Sequence, residues 1–236
     1  MKEKLGFQYT NGDFEEQNRL LKLYNGDDLF REAAFGGHLS LVEFIMSKSA
    51  NTAYAAAELA SRKGGDNIHI IKFLIEEYEF QNFKDIMENA CNCRCRGLEP
   101  RNVEVVKNTC NCLELVKYLV GIGANRNVGV SCAVDSNAYH IVKYLIENGA
   151  NVSASDLLLA SVRGYSDIVR YLIEGGANIH SGNNHALQYA VRYGDFDLVK
   201  FLVEHGANIH SRDDEAIRYA KHKRFQEIID YLSQFY

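Results

Sequence analysis

The sequence contains a single proline, Pro100, among its 236 residues. So little proline leaves few positions that would interrupt helices, and it disfavours a disordered linker. No stretch approaches 18 apolar residues, so we expect no membrane span. The opening MKEKLGFQYT lacks the apolar core of a secretory signal. We therefore expect a cytoplasmic protein whose six cysteines are reduced thiols.

The sequence also lacks a large excess of either charge, since its net charge is only −5. This mild acidic excess does not supply the clustered Lys and Arg of a nucleic-acid-binding surface. The sequence has no G-x-x-x-x-G-K-[ST] loop, no G-x-S-x-G elbow and no H-E-x-x-H helix. We therefore expect a chain that is not an enzyme and needs no cofactor, and that binds neither nucleic acid nor membranes.

What the sequence does contain is a repeated apolar block: a branched residue, a spacer, an aromatic residue, then Leu or Ile. Examples are VEFIM at Val42 and VKFLV at Val199. The fourth residues of the blocks are Ile45, Leu74, Leu119, Leu145, Leu172, Leu202 and Leu232. They are 29, 45, 26, 27, 30 and 30 residues apart, and the step of 45 contains an insertion. Such a period indicates one structural unit copied along the chain.

An alanine stands nine residues before most of these blocks, at Ala33, Ala133, Ala160, Ala190 and Ala220. Extra residues displace it to Ala60 and Ala90 in the second and third units. Apolar spacings of three and four favour helices. Each unit therefore reads as a helix, a short polar turn, a second helix and the triplet GAN. A small side chain at the alanine position would let stacked helices approach closely.

The repeat resembles the ankyrin repeat, on REAAFGGHLSLVEFIMSKSAN from Arg31 to Asn51 and QYAVRYGDFDLVKFLVEHGAN from Gln188 to Asn208. The T-P-L-H usual in that family is missing from every unit. The resemblance implies an all-α ankyrin-repeat solenoid of about seven helix-turn-helix units with short connecting loops. It also implies a non-catalytic scaffold for protein–protein interaction. Endings such as VKYLIENGAN look like the ankyrin arrays of giant DNA viruses, which would place the protein in the host cytoplasm.

The period divides the chain into an N-terminal capping segment, 1–26, and a repeat array, 27–236. We expect a monomer built from seven units, at about 27–51, 52–80, 81–125, 126–151, 152–178, 179–208 and 209–236.

The third unit contains a cysteine-rich insertion at about 91–112. A zinc site would use the thiolates of Cys93, Cys95, Cys110 and Cys112. Their C-x-C spacing differs from the usual C-x₂-C, however, and one intervening residue rarely lets both sulfurs reach one tetrahedral centre. A loop of reduced thiols and a set of disulfides are the other interpretations.

Partners of ankyrin arrays usually lie along the concave side, and the family's variable contact positions follow the alanine by two and three residues. In this sequence they fall on Val162 and Arg163, Arg192 and Tyr193, and His222 and Lys223. The arginines and Lys223 would form a mildly basic stripe for an acidic or mixed segment of an unknown protein partner; the alternative is a solvated helix face. A neighbouring candidate edge consists of loop residues: Asn183, Asn184, His185, Arg212, Asp213 and Asp214.

Two further functions stay open at this stage. Some viral ankyrin proteins are substrate adaptors that deliver a bound protein to a ubiquitin ligase. The cysteine insertion could alternatively make the scaffold responsive to metal or redox state.

Overall fold

The structure, a computed structural model, describes residues 26–46, 53–78, 83–92 and 112–236. Across these ranges it contains fourteen α-helices, two short 3₁₀ turns and no strand. The described residues belong to two compact units, one ending at Ala124 and one beginning at Asn125. The capping segment predicted before Gly26 lies outside the described residues, as does most of the cysteine-rich insertion.

The first unit contains three helix pairs. They are α1 (Gly26–Gly36) with α2 (Leu39–Met46), α3 (Ala53–Ser61) with α4 (Ile68–Tyr78), and α5 (Lys84–Cys91) with α6 (Cys112–Gly121). The extra residues of the second repeat form a 3₁₀ turn, Gly64–Asn67. Within this unit α1 packs on α3 and α3 packs on α5, so first helices stack in chain order.

The second unit contains four helix pairs. They are α7 (Arg126–Asp135) with α8 (Tyr139–Glu147), α9 (Ala154–Arg163) with α10 (Ser166–Glu174), α11 (Ser181–Tyr193) with α12 (Phe196–Glu204), and α13 (Ser211–Lys223) with α14 (Gln226–Leu232). The first helices α7, α9, α11 and α13 stack in sequence, and the second helices form a parallel row.

The core of each unit follows the sequence repeat. The alanine of every repeat is at most 3% exposed, from Ala33 in the first pair to Ala220 in the last. The Leu or Ile position of every block is buried beside it, and so is the branched position of every block except the last, where Ile229 is half-buried; Val169 and Leu172 are examples of the buried positions. The apolar face of one helix pair is covered by the adjacent pair. Each pair is therefore stabilised by the neighbours on which it stacks.

Local sequence fixes where the helices of the second unit begin and turn. Ser153 and Asp156 form a capping box at the start of α9, satisfying backbone N–H groups that the helix leaves unpaired. The turn after α9 ends on Gly164 in the left-handed region, at φ 73°. Glycine adopts this conformation without a Cβ clash, which explains its place between the two helices.

Candidate protein-binding surface

In the second unit, exposed large apolar and aromatic side chains lie on the first helices α9 and α11 and at the C-terminal end, where Phe235 and Tyr236 are 47% and 59% exposed. Leu158 and Val162 stand one turn apart on α9, and each is 38% exposed. Tyr193, at the end of α11, is 56% exposed. Apolar and aromatic side chains that remain in water on adjacent helices are typical of a surface covered by a partner. Of the three on α9 and α11, the sequence interpretation named Val162 and Tyr193 but missed Leu158.

Two cations of the predicted basic stripe are already paired within the protein. A guanidinium nitrogen of Arg163 lies 2.6 Å from a carboxylate oxygen of Asp135 on α7. A guanidinium nitrogen of Arg192 lies 3.0 Å from a carboxylate oxygen of Glu215 on α13. Each arginine thus faces a carboxylate from a neighbouring repeat, which offsets part of the mildly basic charge that the sequence predicts for the stripe.

The stripe residues Arg192, His222 and Lys223 are exposed, and the two cations among them lie near aromatic rings. The Lys223 ammonium is 5.8 Å from the centre of the Tyr219 ring. The Arg192 guanidinium is 5.3 Å from the centre of the Tyr189 ring. His222 is exposed beside Lys223 at the end of α13. Tyr189 and Tyr219 occupy equivalent positions on α11 and α13, so the surface alternates cations with aromatic faces.

The predicted loop edge forms two left-handed turns in the backbone. Gly182, Asn183 and Asn184 have φ angles of 61°, 60° and 60°. The equivalent residues one repeat later, Arg212, Asp213 and Asp214, have φ angles of 55°, 55° and 61°. Asn and Asp tolerate this region better than most residues, because their short polar side chains bond to nearby backbone.

Asn184 is corrected from a candidate contact to a structural residue. Its side chain is 5% exposed. Its Oδ1 atom accepts a 2.9 Å hydrogen bond from the backbone N–H of Asn208 and lies 3.1 Å from His180 Nδ1. Asn127 Oδ1 likewise accepts from the backbone N–H of Asn151, at 2.9 Å. These amides join the connection of one repeat to the next, so Asn184 is unavailable to a partner, whereas Asn183 is exposed.

Arg212 reaches back from its turn to the preceding repeat. One guanidinium nitrogen lies 2.6 Å from His185 Nε2 and 3.4 Å from the carbonyl oxygen of Gly182. Since arginine only donates, His185 Nε2 accepts and the imidazole is neutral. Burial lowers the pKa of His185, and the charges of Arg212 and Arg192 lower it further, with Glu215 opposing them.

Asp214 binds a different group of side chains. Its Oδ1 atom lies 2.8 Å from His210 Nδ1 and accepts a 2.7 Å hydrogen bond from the Tyr236 hydroxyl. These bonds, led by that of Tyr236, lower the pKa of the Asp214 carboxyl. Asp214 therefore fastens Tyr236 to the last connection, while its neighbour Asp213 is exposed.

A groove that the sequence did not predict lies between α9 and α11. Its volume is about 180 Å³, and its surface is mostly apolar. Ala154, Leu157, Leu158 and Ala186 form the apolar part. Ser155, Ser161, Ser181, Gly182 and His185 complete the lining. None of the described residues that line this groove carries a carboxylate. The groove forms where α9 packs on α11, so the sequence pattern of either helix alone could not have predicted it.

The predicted zinc ligands are only partly described. Cys112 is buried at the start of α6, while Cys93, Cys95 and Cys110 lie outside the described residues. Among the residues that the structure describes, no group of three or more His, Cys, Asp or Glu side chains is placed to hold a metal ion. In the same ranges, no helix is both long enough and apolar enough to cross a bilayer.

Comparison with known proteins identifies the repeats. A family model of ankyrin repeats, in three copies, matches residues 130–213, within the second unit. The fold is similar to that of the human ASB11 ankyrin repeat domain, with a TM-score of 0.59 and 18% identity over 79% of this chain and 95% of that one. No curated protein matches the chain at a significant level.

Residues 130–213 therefore match ankyrin repeats, and the fold is that of an all-α ankyrin-repeat solenoid, as the sequence predicted. Ankyrin repeats generally mediate protein–protein interaction, and the comparisons indicate no catalytic family.

Proposed function

We propose that this protein is a non-catalytic scaffold that binds a protein partner along the first-helix face of its second unit. We define that face by Leu158, Val162, Arg163, Arg192 and Tyr193, with His222, Lys223 and Asn183 at its borders. The observation that carries the proposal is the exposure of Leu158, Val162 and Tyr193 on adjacent first helices. Aromatic residues and arginine supply most of the binding energy at protein interfaces.

The paired arginines suit this role. Arg163 and Arg192 are held by Asp135 and Glu215 in defined positions, so a partner need not order them on binding. Exposed ion pairs of this kind contribute little to stability, about 0–1 kcal/mol each. Their carboxylates also keep the face from attracting every acidic protein, which leaves the apolar side chains to decide which partner binds.

Affinity capture from the native cell tests the proposal. One variant changes Arg163, Arg192 and Lys223 to glutamate, and a second changes Leu158 and Val162 to aspartate. A matched control reverses three lysines on second helices, Lys117, Lys143 and Lys200. We expect both face variants to lose a protein that the wild type and the control retain, with circular dichroism showing all four folded. Retention of every captured protein by both face variants would remove this face as the binding site.

The viral resemblance, cytoplasmic location and monomeric state stay predictions from the sequence. The ubiquitin ligase adaptor role and the metal- or redox-responsive role stay predictions as well, the latter because it depends on cysteines outside the described residues.

A further inference from the structure

The groove between α9 and α11 has the size of one side chain. Its volume of about 180 Å³ exceeds the roughly 150 Å³ of an engineered apolar cavity that holds benzene. Leu157 closes the apolar part from within, at 2% exposed, and Leu158 stands at the surface. An aliphatic or phenyl side chain that enters would exchange water for apolar contact on several sides.

The charged side chain that contacts the lining of the groove is a cation, Arg212, although Asp213, Asp214 and Glu215 follow it in the chain. Arg212 contacts two of the lining residues, His185 and Gly182. The carboxylate of Glu215 is 3.0 Å from Arg192 but 3.8 Å from Arg212, so its closer contact is with Arg192. Because a guanidinium has five N–H donors, Arg212 retains capacity to bind a second carboxylate at the edge of the groove.

We propose that the groove takes one leucine-sized side chain of the partner and that Arg212 binds a carboxylate next to it in the partner's chain. The inference rests on the proposed function and makes it more specific, because it replaces an unspecified protein partner with a segment in which an apolar residue is followed by Asp or Glu. The serines around the groove, Ser155 and Ser181, would meet the backbone of that segment. Arg212 then selects for the carboxylate, and the groove selects for the size of the apolar side chain.

Three acetylated hexapeptides test the proposal by NMR with the ¹⁵N-labelled full chain. The first has leucine followed by aspartate among serine and glycine residues. The second replaces that leucine with serine, and the third replaces the aspartate with asparagine. We expect the first peptide to shift the amide signals of Leu158, Ser161 and His185. Loss of the leucine should weaken binding about tenfold or more, and loss of the carboxylate up to about fivefold.

Two variants and one control variant locate the peptide-binding site. Arg212→Gln should make the aspartate and asparagine peptides bind equally, while Lys221→Gln, an equal change of charge on the same helix, should leave their difference intact. Ser155→Phe places a ring at the groove and should abolish the shifts without lowering the melting temperature. Equal shifts from all three peptides, or shifts that map elsewhere, would overturn the inference.

These results are separable from those of the capture experiment. If the face variants lose their partner while the peptides show no preference at the groove, the scaffold function stands and the groove proposal fails. If the peptides bind as expected but capture is unaffected by the face variants, one of which changes the groove residue Leu158, the groove binds isolated peptides but the captured partner uses neither the groove nor the wider face.

Discussion

The hydroxyl of Tyr193 donates a 2.5 Å hydrogen bond to the backbone carbonyl of Val162, 31 residues earlier in the chain. The phenol thus joins the end of α11 to the end of α9. Its ring also lies against Gly164, where an added Cβ would come within 3.2 Å of a ring carbon. Tyr193 is therefore exposed yet fixed in place, which is the state expected of a side chain that contacts a partner without being reordered by it.

Removing that hydroxyl should loosen the junction without unfolding it. We expect Tyr193→Phe to lower the free energy of unfolding by about 0.5–1 kcal/mol, since one partly exposed hydrogen bond is lost.

Gly164→Ala should lower the free energy of unfolding by about 1–2 kcal/mol, because alanine must adopt a positive φ against the ring. Urea unfolding followed by circular dichroism measures both. Gly121→Ala is the control, since nothing lies within 4 Å of its added Cβ. A loss from Gly164→Ala no larger than that of the control would contradict the assignment.

The last turn contains a residue whose backbone conformation suits glycine. Arg224 has φ 61°, in the position that Gly194 and Gly164 occupy one and two repeats earlier. Arg224→Gly should raise the stability by about 0.5–1 kcal/mol, because a side chain is strained in the left-handed region. Asn137→Gly, at φ 55°, should gain less, since asparagine tolerates this region. The shift in the thermal unfolding midpoint is the measurement, and a lower midpoint for Arg224→Gly would show that the arginine contributes contacts that outweigh its strain.

The buried amide of Asn184 allows the contribution of a hydrogen bond between repeats to be measured. We expect Asn184→Ala to cost about 1–3 kcal/mol, because the backbone N–H of Asn208 loses its acceptor. Asn127→Ala removes the equivalent bond to Asn151 at an exposed site, where water can replace it, and should cost less. Chemical denaturation of both variants ranks the two sites. Equal losses would mean that burial of the amide contributes nothing.

The hydrogen bond between Tyr236 and Asp214 predicts that stability falls at both ends of the pH range. Tyr236 causes the loss at high pH, and Asp214 causes the loss at low pH. Burial and the Asp214 carboxylate raise the pKa of Tyr236 to about 12, so the phenol stabilises the fold below pH 10 and loses this effect as pH rises toward 12. The pKa of Asp214 is lowered, so its contribution is present above its usual value of 3.8 and is lost as pH falls below it.

NMR titration of the Tyr236 ring checks this prediction. In Asp214→Asn the pKa of Tyr236 should fall from about 12 toward 10 but stay above it, because burial, the largest cause, remains. Asp213→Asn removes the same charge from the neighbouring position and should leave the titration of Tyr236 nearly unchanged. A similar fall in both variants would show that the general loss of negative charge, rather than the hydrogen bond, is responsible.

The sequence by itself determined the repeat and its core. Ala160, Val169 and Leu172 stand at fixed spacings within one repeat, and a helix places such spacings on one face whatever the rest of the chain does. Burial of the alanine and leucine positions in every described pair follows from that local rule, as does glycine in the turn at Gly164. The alternation of helix, turn and helix could therefore be predicted with no knowledge of which repeats touch.

Only the tertiary structure decided what the surface offers to a partner. The ion pair of Arg163 depends on Asp135, 28 residues away, and the availability of Asn184 depends on the backbone of Asn208 in the next repeat. The groove beside Leu158 exists because α9 and α11 leave space between their side chains. These properties belong to pairs of repeats, and a periodic sequence pattern describes each repeat alone, so the core could be predicted from local spacing and the binding surface could not.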